Sequence, residues 1–209
     1  MKRLVVSFVC IILLASCSSN VKKILILSRG KATVNQDAKT IEVDDGTGHE
    51  EQTVEFNTGD KLSLKIKSQA GEATIEIPEN GYYVLNLKND TTLGSYQNYG
   101  SAEERKTSFS QEDVAKQLDS LTQFVANQNV SPAKRNFYLL PNTGVKLTNN
   151  LDAFIVGPYH QMTSVAKEEG KEPEVYRFYS IKEVREKIDK ISVLAGKKPV
   201  EEKAAGKKK

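Results

Sequence analysis

The chain has 209 residues, with 30 Lys and Arg against 27 Asp and Glu and a formal net charge of +3. From Lys197 onward it carries six lysines and two glutamates, so the body before that tail is slightly acidic and a nucleic-acid footprint is excluded. Both cysteines, Cys10 and Cys17, fall near the start, so the rest of the chain has no internal disulfide and no thiol nucleophile and must be held by its core.

The first element is a leader. Lys2 and Arg3 precede an apolar run, Leu4 to Leu14, of the length of a secretory signal core, and too short to span a bilayer, which takes about 20 apolar residues. Leu14-Ala15-Ser16-Cys17 then places an aliphatic residue and two small ones before a cysteine, whereas Cys10 follows bulky Phe8 and Val9. This tetrapeptide resembles the lipobox of bacterial lipoproteins; the alternative is a plain signal peptide with an accidental cysteine. The resemblance implies cleavage between Ser16 and Cys17, diacylglycerol on the Cys17 sulfur, and acylation of the freed amine. Residues 1–16 are then a cleaved signal peptide, and 17–21 a lipidated cysteine with a very short tether. In families that sort by the position after the cysteine, Ser18 favours the outer membrane of a Gram-negative host. With so short a tether the first strand lies within roughly 20 Å of the headgroups. Lys22 and Lys23 either touch anionic headgroups or, the plainer reading, are solvated strand-edge lysines.

Residues 22–99 read as a small β-sandwich. Lys22–Leu27, Thr40–Val43, Gln52–Phe56, Leu62–Ile66, Ala73–Ile77, Tyr82–Leu87 and Thr92–Tyr99 have period-two patterning and β-branched or aromatic residues. Turn residues separate them: Asp45-Gly46, Thr58-Gly59-Asp60, Ala70-Gly71, Asn80-Gly81 and Asn89-Asp90. Pro78 ends its strand, and Asn80-Gly81 has the composition of a tight turn. Residues 100–110 lose the alternation and read as a linker.

Residues 111–196 read as an α+β region, so the fold class is mainly β with an α+β C-terminal part. Ser110 with Asp113 forms a capping box before Val114, Leu118, Leu121 and Val125 at helical spacing, and this helix ends near Gln128-Asn129. Strand-like pieces follow at Phe137–Leu140, Val145–Leu147, Ala153–Val156 and Val175–Tyr179. Ser180 with Glu183 is a second capping box, before Ile181, Val184, Ile188 and Ile191. Glu183 with Lys187 and Glu186 with Lys190 are i,i+4 pairs, and Gly196 stops the helix. Residues 197–209 form a low-complexity, disordered Lys-rich tail.

Chemical signatures are sparse. The loop DDGTGHEE, Asp44 to Glu51, offers oxygen and imidazole ligands, but its spacing is not that of an EF-hand, and a solvated hairpin turn accounts for it more plainly. His49 and His160 are the only histidines. No nucleophile elbow, zinc-protease helix or phosphate loop occurs. No catalytic, metal or cofactor residues are assigned, and no cofactor is expected. Eight tyrosines, with Phe137, Phe154 and Phe178, can line a groove for a glycan or a partner protein, or else pack the core. Asp90-Thr91-Thr92 and Asp119-Ser120-Leu121 look like the O-glycosylation acceptor pattern of Bacteroidetes-type bacteria. The segments GSYQNYG and EVYRFYSIKEVREKI are faintly similar to lipoproteins of those bacteria, which implies an outer-membrane host and no particular activity. The expectation is a non-enzymatic, lipid-anchored envelope protein whose partners are the membrane and an envelope protein or glycan. The alternative is an envelope hydrolase or carbohydrate-processing enzyme with an unrecognised carboxylate site.

Overall fold

The computed structural model describes residues 20–97, 110–158, 160 and 173–195. Its layering starts from the aliphatic run Ile24-Leu25-Ile26-Leu27 in β1 (Val21–Arg29). Successive side chains of a strand point to opposite faces, and here both faces are covered. Ile24 and Ile26 enter one core, Leu25 and Leu27 another. An unbroken apolar run is what a strand buried on two sides requires. β1 pairs antiparallel with β4 (His49–Asn57) and parallel with β7 (Gly81–Asn86), and β7 pairs antiparallel with β10 (Thr143–Thr148). These four strands, in the order β10-β7-β1-β4, make the inner sheet.

A second, outer sheet has the order β2-β3-β5-β6, from β2 (Ala32–Asn35), β3 (Thr40–Val43), β5 (Leu62–Ser68) and β6 (Gly71–Ile77). Leu62, Leu64 and Ile66 are buried against the inner sheet, while Ser63, Lys65 and Lys67 between them are exposed. The two sheets enclose the first core as a sandwich, whose inner sheet takes in β10 from beyond residues 22–99. Further details differ from the sequence reading. β2 is an additional strand, too short and too polar at its flanks to stand out. Asn80-Gly81 does not close a hairpin, because β6 and β7 belong to different sheets and this link carries the chain between them. Gly81 has φ +140°, and a Cβ there would come 2.7 Å from the Thr148 carbonyl oxygen, so glycine serves a close approach to β10. The tight hairpin is β5–β6, in which Ser68 opposes Gly71 across Gln69-Ala70.

The third sheet has the order β11-β12-β8-β9, from β8 (Thr92–Gln97), β9 (Asn136–Leu139), β11 (Phe154–Val156) and β12 (Val175–Ser180). One face packs on Leu25, Leu27, Tyr82 and Val84 of the inner sheet through Phe137, Leu139, Tyr176 and Phe178. The other carries α1 (Gln111–Val125) and α2 (Ile181–Leu194) over a core of Leu93, Leu118, Phe124, Val184 and Ile188. The fold is therefore mainly β, with three sheets and a helical layer stacked in sequence. Strands from both sides of residues 100–110 share sheets, since β10 joins the inner sheet and β8 the helix-backed one.

Both helices begin as their caps dictate. Ser110 and Asp113 complete a reciprocal capping box. At Ser180 only half of the expected box forms: its hydroxyl accepts from the Glu183 N–H at 3.1 Å, while the Glu183 carboxylate turns toward Arg177 and Lys187. Glu186 lies 4.0 Å from Lys182. Among the described residues no helix is long and apolar enough to cross a membrane.

Candidate functional site

Ser16, Cys17, Tyr99, Tyr159, Gly196 and the tail 197–209 lie outside the described residues. The first informative site is therefore the entry of β1. Lys22 is fully buried, facing neither headgroups nor solvent, and its Nζ donates to the Thr58 carbonyl at 2.8 Å and to Asn80 Oδ1 at 2.9 Å. Thr58 and Asn80 sit on two links between the inner and outer sheets, so Lys22 closes that end of the sandwich. Lys23 does the same on the other face, where its Nζ donates to the Leu151 carbonyl at 2.8 Å and lies 4.9 Å from the Tyr82 ring centroid. Burial takes Lys22 out of both sequence readings, whereas Lys23, with its side chain 23% exposed, is held by the Leu151 carbonyl and keeps one side toward solvent.

Burial holds the Lys22 ammonium below the ordinary lysine value; Asp60 opposes that shift and Lys146 reinforces it. In the window between the folded and unfolded values the unfolded chain binds more protons, so stability rises with pH there. We expect the urea midpoint of the native chain to rise relative to Lys22→Met as the pH climbs toward the ordinary lysine value from below. Parallel curves for the two proteins would contradict this. Tyr82, Tyr83 and Tyr176, whose hydroxyls are pushed up by burial, act in the opposite direction at higher pH.

The loop Asp44 to Glu51 does not converge on a point. Asp44 Oδ1 accepts from the N–H groups of Lys31 at 2.8 Å and Gly46 at 3.1 Å, so that carboxylate is spent on the turn. The turn links β3 of the outer sheet to β4 of the inner one and is no hairpin. His49, Glu50 and Glu51 are strung along β4. Glu51 packs against Gly157 and lies 3.1 Å from His160 Nδ1, which separates the two histidines into different environments. Among the described residues no group of three His, Cys, Asp or Glu is placed to hold a metal ion.

The tyrosines are distributed over three cores, not gathered in one groove. Tyr83 belongs to the first, Tyr82, Tyr96 and Tyr176 to the second, and Tyr138 and Tyr179 to the third. Tyr176 is fully buried; its hydroxyl donates to Glu174 Oε1 at 2.7 Å, and its pKa is raised by burial and by that carboxylate. Among the described residues, Phe154 is a large aromatic left in solvent, at 48% exposed. Of the O-glycosylation matches, Thr91 is half-buried beside fully buried Thr92, and Ser120 is exposed on α1.

A cleft of about 290 Å³ opens between α1, α2 and the helix-backed sheet. Its apolar floor is Leu121, Phe124, Val184 and Ile191, and its polar wall is made of the amides Gln117, Asn129 and Asn136 and the hydroxyls Ser95, Ser120 and Tyr179. Lys187 is the one charged side chain among these lining residues. The arrangement follows from strand and helix geometry. Arg177 and Tyr179 share a face of β12 because they are two apart, and the chain turns at Ser180 directly into α2. Glu183 and Lys187, one helical turn apart, then come down beside them. Glu183 lies 3.7 Å from Arg177 and 3.6 Å from Lys187. Lys187 Nζ sits 4.0 Å from the Tyr179 ring centroid and the Arg177 guanidinium 4.9 Å from it. Desolvation lowers the Lys187 pKa; Glu183 opposes this, while Arg177 and Lys190 add to it. The Glu183–Lys187 pair was visible as helical spacing, but its meeting with Arg177 and Tyr179, and the amides contributed by α1, depend on how the layers pack.

Comparison with known protein families, with curated proteins and with solved structures found no match to this chain.

Proposed function

We propose that this chain is a non-enzymatic, lipid-anchored protein of the cell envelope, held by Cys17 on the outer membrane of a Gram-negative bacterium, whose folded body binds an envelope partner. The observation that carries this reading is Leu14-Ala15-Ser16-Cys17 behind a basic, apolar leader. A diacylglyceryl group with an added N-acyl chain exceeds the two-chain requirement for stable anchoring. The immobilised Lys22 and Lys23 add support of a mechanical kind, since only Ser18 to Val21 separate them from the lipid. The body is thus coupled closely to the anchor. Binding is favoured over glycan hydrolysis because the lining of the helix-side cleft combines amides, hydroxyls and one lysine, whereas glycoside hydrolysis characteristically uses a pair of Asp or Glu residues. The test is metabolic labelling with a fatty acid. Cys17→Ser is expected to abolish labelling and to accumulate unprocessed precursor; labelled, normally processed Cys17→Ser protein would refute the anchor.

A further inference from the structure

We propose that the cleft between α1, α2 and the helix-backed sheet binds the carboxylate end of a short peptide or an N-acyl amino acid, with the carboxylate at Lys187, the ligand's amide at Gln117, Asn129 and Asn136, and an apolar side chain over Phe124. This names the ligand class for the binding-module reading given above, and it rests on that reading.

Charge selects the carboxylate. Glu183 is shared between Arg177 and Lys187, so this small cluster keeps an excess of positive charge beside the cleft. Lys190 adds a further positive field, and Lys134 Nζ donates to Asn129 Oδ1 at the rim. The Lys187 side chain is 42% exposed, so its ammonium is partly desolvated yet open to an incoming anion, with which it forms a charge-assisted bond. Side-chain amides select the next group: Gln117 and Asn136 each present a donor and an acceptor, and Asn129, whose Oδ1 is held by Lys134, presents its N–H donors, together the complement of a peptide unit. The floor supplies apolar contact, with Val184 and Phe124 both buried. Size sets the scale: a cleft of about 290 Å³ stands at the small end of ligand sites, which run from roughly 300 to 1,000 Å³. A sugar is the less suitable ligand, because of the two rings in the lining Phe124 is buried and Tyr179 is already engaged by Lys187 and Arg177.

The test is an NMR titration of the ¹⁵N-labelled full chain in detergent micelles, using N-acetyl-L-phenylalaninate, its C-terminal amide, and N,N′-diacetylchitobiose. The carboxylate is expected to give saturable shifts at the side-chain amides of Gln117, Asn129 and Asn136, and the amide probe to bind about tenfold more weakly. Lys187→Gln is expected to bring the affinity for the carboxylate down to that for the amide, while Lys116→Gln, which removes an exposed partner of Glu112 on α1, leaves it unchanged. Equal binding of acid and amide, an unaltered Lys187→Gln, or no shift at the three amides would overturn the assignment. Stronger shifts of the same signals by chitobiose would overturn it in favour of a sugar site. Fatty-acid labelling at Cys17 is read independently, so loss of the ligand with labelling intact defeats this inference alone.

Discussion

Asn86→Ala is expected to lower the unfolding free energy by about 3 kcal/mol and the melting temperature by about 6–12 °C, as followed by urea and thermal denaturation. Asn86 is fully buried at the end of β7. Its Nδ2 donates to the carbonyls of Asp90 at 2.8 Å and Leu139 at 3.1 Å, with Leu140 at 3.3 Å. Its Oδ1 accepts from the Thr92 hydroxyl at 3.2 Å and the Lys88 N–H at 3.4 Å. One carboxamide therefore ties the inner sheet to the first residue of β8 and the last of β9. Alanine leaves several buried polar groups without this partner, which is the costly way to lose a hydrogen bond. Asn86→Asp is expected to be worse than alanine at neutral pH, because it sets a carboxylate oxygen against carbonyl oxygens. A loss below about 1 kcal/mol for alanine would show that the knot is not what joins the two sheets.

Phe178→Ala is expected to cost about 4 kcal/mol. Phe178 is fully buried between the helix-backed and inner sheets and faces Gly94 across the β12–β8 pair. The ring occupies the space a side chain at Gly94 would need: a Cβ there would fall 2.3 Å from Phe178 Cε1. Gly94→Ala alone should then destabilise by about 1–3 kcal/mol through overpacking. In the double variant the new methyl fills part of the vacated volume, so the two losses should fall short of additivity by about 1 kcal/mol or more. Strict additivity would mean that ring and glycine do not share that space.

Much of this architecture was legible one strand at a time. Leu62, Leu64 and Ile66 alternating with lysines announce a half-buried strand, and β5 is one. Ser110 with Asp113 announces a helix start, and the box is complete. Partnership between strands was less accessible. Asn80-Gly81 has hairpin composition, yet its glycine answers to β10, more than sixty residues away, and Lys22 reads as a surface lysine until the links bearing Thr58 and Asn80 close over it. The cleft was the least legible of all. Gln117, Asn129, Asn136 and Lys187 come from separate elements, and each by itself is an ordinary polar residue on a helix, turn or strand.

By itself the sequence determined most element types, the aliphatic run that demands cover on both faces, and the Leu14-Ala15-Ser16-Cys17 stretch on which the proposed anchor rests, because each of these is local chemistry read within a few residues. Tertiary structure alone decided which sheet each strand joined, that Lys22 and Lys23 fasten the start of β1 in place of reaching outward, and that Lys187 overlooks a cleft. Those outcomes depend on contacts between residues far apart in the chain, and local spacing does not encode them. Beside Cys17, whose proposed lipid would fix where the protein resides, the packing therefore adds a second expectation, that the anchor grips a body already rigid at its first strand.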